Sequence, residues 1–432
     1  MEPVTIGIVS VIAMITLTFM GVPIAFALLA IGVVGNIYLL GLTQTTMLLE
    51  MVVWENGTNF LLVAIPLFIF MGQLVYQTNI ANDLYDFVYK WFGRLPGGLA
   101  VTAVITSAGF GALTGSSVAA IATMGVMLIP QMKKYQYNLS LATGSLASAG
   151  TLAIMIPPSI PMVIYGVWTE TSIGELFIAG ILPGVLLTAG FCGMIVIRCL
   201  IRKDLGPPGP SFSWRERFAS LLKLIPTASI FILIIGGIYG GIFTPTEASA
   251  IGSTGVLLVA LVMRRLSWKR LKDALFQTGT VSAMIYAILF AGVLFSRLMV
   301  QTDATPALIN AIVSLDLNRY LLVLAFGIMF LFLGAILDTF GMLILTLPLV
   351  FPIATRLGFD PVWFGVYMTL MMEIAMLTPP IGLNVFVMQK VAPEIPLIQV
   401  FKGVFPFVLV CAGVVFLITA FPQIALWLPR SM

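Results

Sequence analysis

The chain has 432 residues, of which 60% are hydrophobic and 9% charged, with a net charge of +4 and no histidine. A mean hydropathy of +1.11, spread over many apolar runs of about 18 residues or more, puts it in a bilayer rather than around one soluble core. Histidine-based zinc sites, Ser-His triads and histidine proton relays are excluded. There is no GxxxxGK[ST] phosphate loop for ATP hydrolysis, Cys192, Cys199 and Cys411 lack paired metal spacing, and the basic residues sit in short loops, which is no nucleic-acid signal.

The opening MEPVTIGIV carries an acidic residue and no basic one, so it reads as the start of a first span and not as a cleaved signal peptide. Apolar runs predict full spans near 4–20, 22–41, 58–76, 138–168, 175–198, 222–243, 247–264, 275–300, 362–390 and 403–428. Two segments, 97–132 and 320–355, are too long for one crossing and barely enough for two. Each is broken near its centre by polar residues, Gly115-Ser116-Ser117 in one and Asp338-Thr339 in the other. Broken backbone at membrane depth needs protein or water around it, so each is expected to be a re-entrant helical hairpin.

If both hairpins enter and leave on one side, alternation puts all 21 basic residues except Arg297, Arg319, Arg356 and Arg430 on a single face. That face is the cytoplasm, which leaves both termini periplasmic. The stretch 204–220, with Pro207, Pro208 and Pro210 followed by SWRERF, is the one sizeable polar linker. The expected organisation is N-terminal scaffold spans and an arm over 1–96, then a first repeat core over 97–200 with hairpin 97–132 and broken helix 138–168. A cytoplasmic linker over 201–223 leads to scaffold spans of the second half over 224–300. A second repeat core follows over 301–432, with hairpin 320–355, broken helix 362–390 and the C-terminal span.

Landmarks recur across the linker: Gly111-Ala112, Pro157-Pro158 and Gly180-Ile181-Leu182-Pro183 are matched by Gly334-Ala335, Pro379-Pro380 and Gly403-Val404-Phe405-Pro406 at similar spacing. The first hairpin opens to the cytoplasm and the second to the other face. The expected fold class is therefore an all-α polytopic membrane protein, an inverted repeat with two re-entrant hairpins and two Pro-Pro-broken helices. This is a secondary-transporter architecture, with sites where broken helices meet.

Proline has no N–H to give, so Pro157 and Pro158 free the carbonyls of Ala153 and Ile154, while Pro379 and Pro380 free those of Ala375 and Met376. A sodium ion suits such oxygens, with the hydroxyls of Ser116, Ser117, Thr339 and Thr378 completing the shell. Opposing half-helix N-termini suit an anion. One cation site per repeat is expected, built from Gly115, Ser116, Ser117, Ala153, Ile154 and Pro157, and from Asp338, Thr339, Ala375, Met376, Thr378 and Pro379, with sodium and no transition metal. The plainer alternative, that the prolines kink buried helices and the small residues allow close packing, loses ground to the duplication. An ionised Asp338 at that depth costs on the order of 3 kcal/mol and should face a partner or a cation; Glu373 is a similar case. Substrate contacts are expected from Ser116, from Arg297 as a bidentate carboxylate clamp, and from Asn384. Arg297 could instead snorkel to the interface, and Asn384 could bond a loop carbonyl.

GALTGSSVAAIATMG, ASAGTLAIMIPPSIPMVIYG, GAILDTFGMLILTLPLVFPI and MLTPPIGLNVF, in this order, together resemble the large membrane subunit of tripartite ATP-independent periplasmic (TRAP) transporters over essentially the whole chain. The resemblance implies a sodium-driven elevator carrier. It would work with a small four-span membrane subunit, packed against the early spans and the 78–96 stretch, and with a periplasmic binding protein. That protein would deliver an acidic solute such as a dicarboxylate, sialic acid, keto acid or ectoine. It also implies a bacterial inner-membrane location and assigns the hairpin tips to Gly115, Ser116, Ser117 and to Asp338, Thr339. A passive channel and a cation- or proton-coupled carboxylate carrier without a binding protein are the competing readings. An intramembrane enzyme is not expected, because a serine protease would want histidine and an aspartyl protease two buried aspartates.

Overall fold

The structure is a computed structural model and describes residues 2–315 and 318–431; Met1 of the predicted scaffold and residues 316, 317 and 432 of the predicted second core lie outside the described residues. Every regular element among the described residues is helical. The first part of the chain holds α1 (Pro3–Phe19), α2 (Ile24–Leu40), α3 (Leu42–Gly57), α4 (Ala64–Gln77) and α5 (Ala81–Phe92). Next come α6 (Gly98–Thr114), α7 (Ser117–Lys134), α8 (Leu139–Ala149), α9 (Leu152–Met155), α10 (Ile160–Thr169) and α11 (Ile173–Ile201). The second half holds α12 (Trp214–Tyr239), α13 (Pro245–Val262), α14 (Trp268–Gln301), α15 (Ala304–Ser314), α16 (Arg319–Leu333) and α17 (Thr339–Arg356). It ends with α18 (Pro361–Ala375), α19 (Leu383–Val391), α20 (Leu397–Ala420) and α21 (Gln423–Leu426). Among the described residues, eight helical stretches are long and apolar enough to cross a membrane, including Leu139–Thr169 with its internal breaks and the 34-residue α14.

Several expectations need correction. The helices α3 and α15 fall where no element was expected: α3 carries Glu50, Glu55 and Asn56 and α15 is short, so neither makes the long apolar run that marks a span. The predicted linker is shorter, because SWRERF opens α12. Ser213 accepts from the Glu216 amide and Glu216 bonds back to the Ser213 amide, a capping box that starts the helix at Trp214. The rest of the linker is tied down: Gly97 N–H donates to Gly206 O (3.0 Å) and Asn138 N–H to Leu205 O (2.9 Å). The Tyr137 hydroxyl donates to Pro207 O (2.8 Å).

Polar contacts sort the helix ends into two groups. At one end, Tyr85 donates to Gln131 Oε1 (2.6 Å), Arg265 grips both Asp83 oxygens (2.5 and 3.0 Å), and Lys133 pairs with Glu394. At the other, Tyr165 donates to Pro361 O (2.7 Å), Arg430 faces Asp360 at 3.4 Å, and the Tyr239 and Ser431 hydroxyls meet at 3.1 Å. The first group holds most of the basic segments. Leu99 N–H, near the start of α6, donates to the hydroxyl of Tyr137, just past the end of α7, at 3.1 Å. The two helices therefore fold back on themselves with the 115–116 turn at the far end.

The same close approach recurs in both halves. A Cβ on Gly111 would overlap the backbone of Ala153, and one on Gly334 would overlap Ala375. In each pair the glycine stands at the end of a helix leading to a polar turn, Gly111 in the last turn of α6 and Gly334 capping α16, and its partner stands four residues before a Pro-Pro pair. Both Pro-Pro peptide bonds are cis.

Candidate functional site

The polar turn after α6 begins with Gly115, which takes φ +60°, a left-handed conformation open to glycine, and its missing Cβ lets it approach Pro158 O. Ser116 then caps α7 by accepting from the Ala119 amide at 3.3 Å, and Ser117 is buried. In the second half Asp338 takes the equivalent place, capping α17 by accepting from the Gly341 amide at 3.0 Å. Thr339 is buried with its hydroxyl 2.6 Å from Met376 Sδ.

These turns border one cavity of about 310 Å³. Its walls include Thr114 to Ala119 from the first turn, Asp338 to Phe340 from the second, Ile154 and Ile160 on either side of the first Pro-Pro break, and Met376 and Leu383 on either side of the second. Four helix N-termini therefore meet there, those of α7, α10, α17 and α19, together with the C-terminal ends of α6, α9 and α18. Helix starts present unpaired N–H groups and partial positive charge, while helix ends present carbonyls and partial negative charge. Asp338 is the one charged side chain in the lining. Such a wall can hold an anion against the helix starts and a cation against Asp338 and the carbonyls.

Of the residues singled out from sequence, Gly115, Ser116, Ser117, Ile154, Asp338, Thr339 and Met376 line the cavity. Ala153 and Ala375 stand behind them, each backing a glycine, and Pro157 and Pro379 belong to the breaks without lining it. The carbonyls of Ala153 and Ile154 receive no amide from Pro157 or Pro158, and the Ile156 amide goes to Leu152 O (3.0 Å).

The second break differs. Met376 O accepts the Asn384 amide (3.1 Å) and Ala375 O accepts the Thr378 amide (3.4 Å) and hydroxyl (3.2 Å), so neither carbonyl is free as expected. A glycine at 382 lets the chain turn back and bring α19 onto these groups. Thr378 also faces a separate apolar cavity of about 740 Å³ between α16, α18 and α20.

Two substrate candidates do not line this cavity. Arg297 is exposed on α14 and lies 4.0 Å from Glu55 of α3, outside the cavity, because its position near the helix end lets the long side chain run outward. Asn384 is fully buried and does not line the cavity; its side chain lies beside Glu373.

Sequence reading missed the wall that α4 and α14 contribute: Ile69, Gly72, Gln73 and Tyr76, with Val281 and Met284. A Cβ on Gly72 would stand 2.7 Å from Thr114 Cα, so this glycine seats α4 against the first turn. Gln73, a lone amide within IPLFIFMGQLVY, was the available signal. Ser159, at the start of α10, was also missed; it is fully buried and its hydroxyl has no partner.

Residues 11–424 match the family described as the tripartite ATP-independent periplasmic transporter, DctM component. The chain is 35% identical over 378 residues to the C4-dicarboxylate TRAP transporter large permease protein DctM of Pseudomonas aeruginosa, covering 87% of this chain and 88% of the relative. It is 34% identical to the ectoine/5-hydroxyectoine TRAP transporter large permease protein UehC of Ruegeria pomeroyi (96% and 97% covered). It is 31% identical to the sialic acid TRAP transporter large permease protein SiaM of Vibrio cholerae (98% of each chain). Among solved structures, the Alcanivorax borkumensis YdaH transporter superposes with a TM-score of 0.59 at 13% identity, covering 91% of this chain and 89% of that one, which is a likeness of fold. The relatives are permeases and not enzymes, and the chain belongs to the DctM component family of TRAP transporters as a multi-pass large permease protein.

Proposed function

We propose that this large permease imports an organic acid anion across a bacterial inner membrane, coupled to sodium, by an elevator movement. The observation that carries this reading is the single cavity at which both polar turns and four helix starts meet, with Asp338 as its one charge. The two matched glycine contacts, Gly111 on Ala153 and Gly334 on Ala375, support an inverted repeat in which α6–α10 and α16–α19 form the moving unit. On this reading α4 and α14, which supply the remaining wall, belong to the fixed scaffold. Sodium at each turn neutralises helix-end carbonyls and, in the second, Asp338. The substrate carboxylate then lies against the N-termini of α7, α10, α17 and α19. The cofactor on this reading is co-transported Na⁺.

The relatives' substrates, dicarboxylate, ectoine and sialic acid, point to a small acidic or zwitterionic solute. A volume near 310 Å³ suits the small end of that range. The partners on this reading are a small four-span subunit against α1–α3 and α5 and a periplasmic protein that delivers the solute; both termini face the periplasm. The test is uptake into proteoliposomes carrying both membrane subunits, with the binding protein outside. Uptake is expected only with an inward sodium gradient. Equal uptake in potassium medium overturns sodium coupling, and single-channel currents overturn the carrier reading.

A further inference from the structure

We infer that Glu373 and Asn384 form a cation site of their own behind the second Pro-Pro break, apart from the cavity. Glu373 is 1% exposed and Asn384 0%. Neither Glu373 oxygen and neither polar atom of the Asn384 side-chain amide has a partner of good hydrogen-bond geometry, and that amide is set against the carboxyl. The two side chains are neighbours, one from the last turns of α18 and the other from the first turn of α19. The backbone N–H of Asn384 donates to Met376 O and holds them in that relation. Cys411 of α20 lies beside the carboxyl and brings no charge to it, and none of the ion pairs among the described residues reaches Glu373.

The site is separate from the cavity. Met376 and Leu383 line the cavity while Glu373 and Asn384 do not.

A buried carboxylate with no counter-charge facing it is strongly disfavoured. The compensating charge has no source in the side chains around it, so it comes from solution. Three hard oxygens, two from one carboxylate and one from an amide, suit an alkali cation over a transition metal. One negative charge matches a monovalent ion, and we assign sodium. A sodium ion bridging Glu373 and Asn384 ties α18 to α19 and holds the two half-helices across the break.

This inference rests on the sodium reading given above and is tested by melting the purified protein in sodium, potassium and choline chloride, with E373Q, N384D and D338N alongside. Sodium is expected to raise the wild-type Tm above potassium and choline. E373Q should lose part of that rise, N384D should reach it at several-fold lower sodium, and D338N should keep the part that E373Q loses. If E373Q keeps the full sodium rise, or N384D leaves the sodium midpoint unmoved, the inference falls; a dependence of Tm on pH that E373Q abolishes would identify a proton there instead. If D338N alone removes the response, this site falls and the cavity reading stands. If the wild type does not respond to sodium at all, both fall.

Discussion

Asp338 caps α17 through its carboxylate and supplies the one charge in the cavity wall. The two roles separate by substitution. Asparagine caps a helix about as well as aspartate, so in sodium-free medium D338N should melt like wild type, whereas D338A should lose about 1 kcal/mol with the cap. Sodium-dependent uptake should fall at least tenfold in both. D338N with wild-type uptake would mean that the charge is not used. Ser116→Ala should likewise cost about 1 kcal/mol, because Ser116 caps α7 in the same way. The polar turns were legible in sequence because a carboxylate or a Gly-Ser-Ser run inside an apolar stretch has few structural excuses. The place of Arg297 was not legible, because charge type says what a residue can bind but not which way a long side chain runs.

At the scale of elements, Gly111 and Gly334 let two helix ends lie directly on the backbones of α9 and α18. Valine at either position has to push helices apart, at a cost of about 1–3 kcal/mol, and folded yield and uptake should drop in both variants. Gly193→Ala on α11, with nothing within 4 Å of the new methyl, is the control and should be near neutral. A second element-scale contact joins the end of α7 to the loop before α20. The Lys133 ammonium bonded to Glu394 holds that carboxyl below its ordinary range. The contact therefore stabilises the fold above the ordinary glutamate value of about 4.3 and loses that contribution as pH falls through the lowered value. Both side chains are largely exposed, so the effect is small. Melting E394Q across that acidic range should give a flatter pH dependence than wild type, and identical curves would show the pair to be idle. Pro-Pro pairs announced the broken helices, but α3 and α15 were missed because a short or half-polar helix leaves no span-length apolar signature.

For the whole molecule, the ends joined by Asp83–Arg265, Tyr85–Gln131 and Lys133–Glu394 gather most of the basic segments, and the ends joined by Arg430–Asp360 and Tyr165–Pro361 lie opposite. Cysteines at Ser267 and Glu394 should react with an impermeant maleimide only from the cytoplasm, and cysteines at Arg319 and Arg356 only from the periplasm. Labelling of all four from one side would overturn the orientation. Composition by itself determined that the chain lies in a bilayer, and the spacing of small residues and prolines determined where its helices break. These are local properties: a run of apolar residues has no other favourable solvent, and a proline removes an amide wherever it stands. Which groups face one another was decided by tertiary structure alone. The α4 wall, the meeting of four helix starts and the burial of Glu373 against Asn384 depend on long-range packing between half-helices, and no spacing along the chain records it.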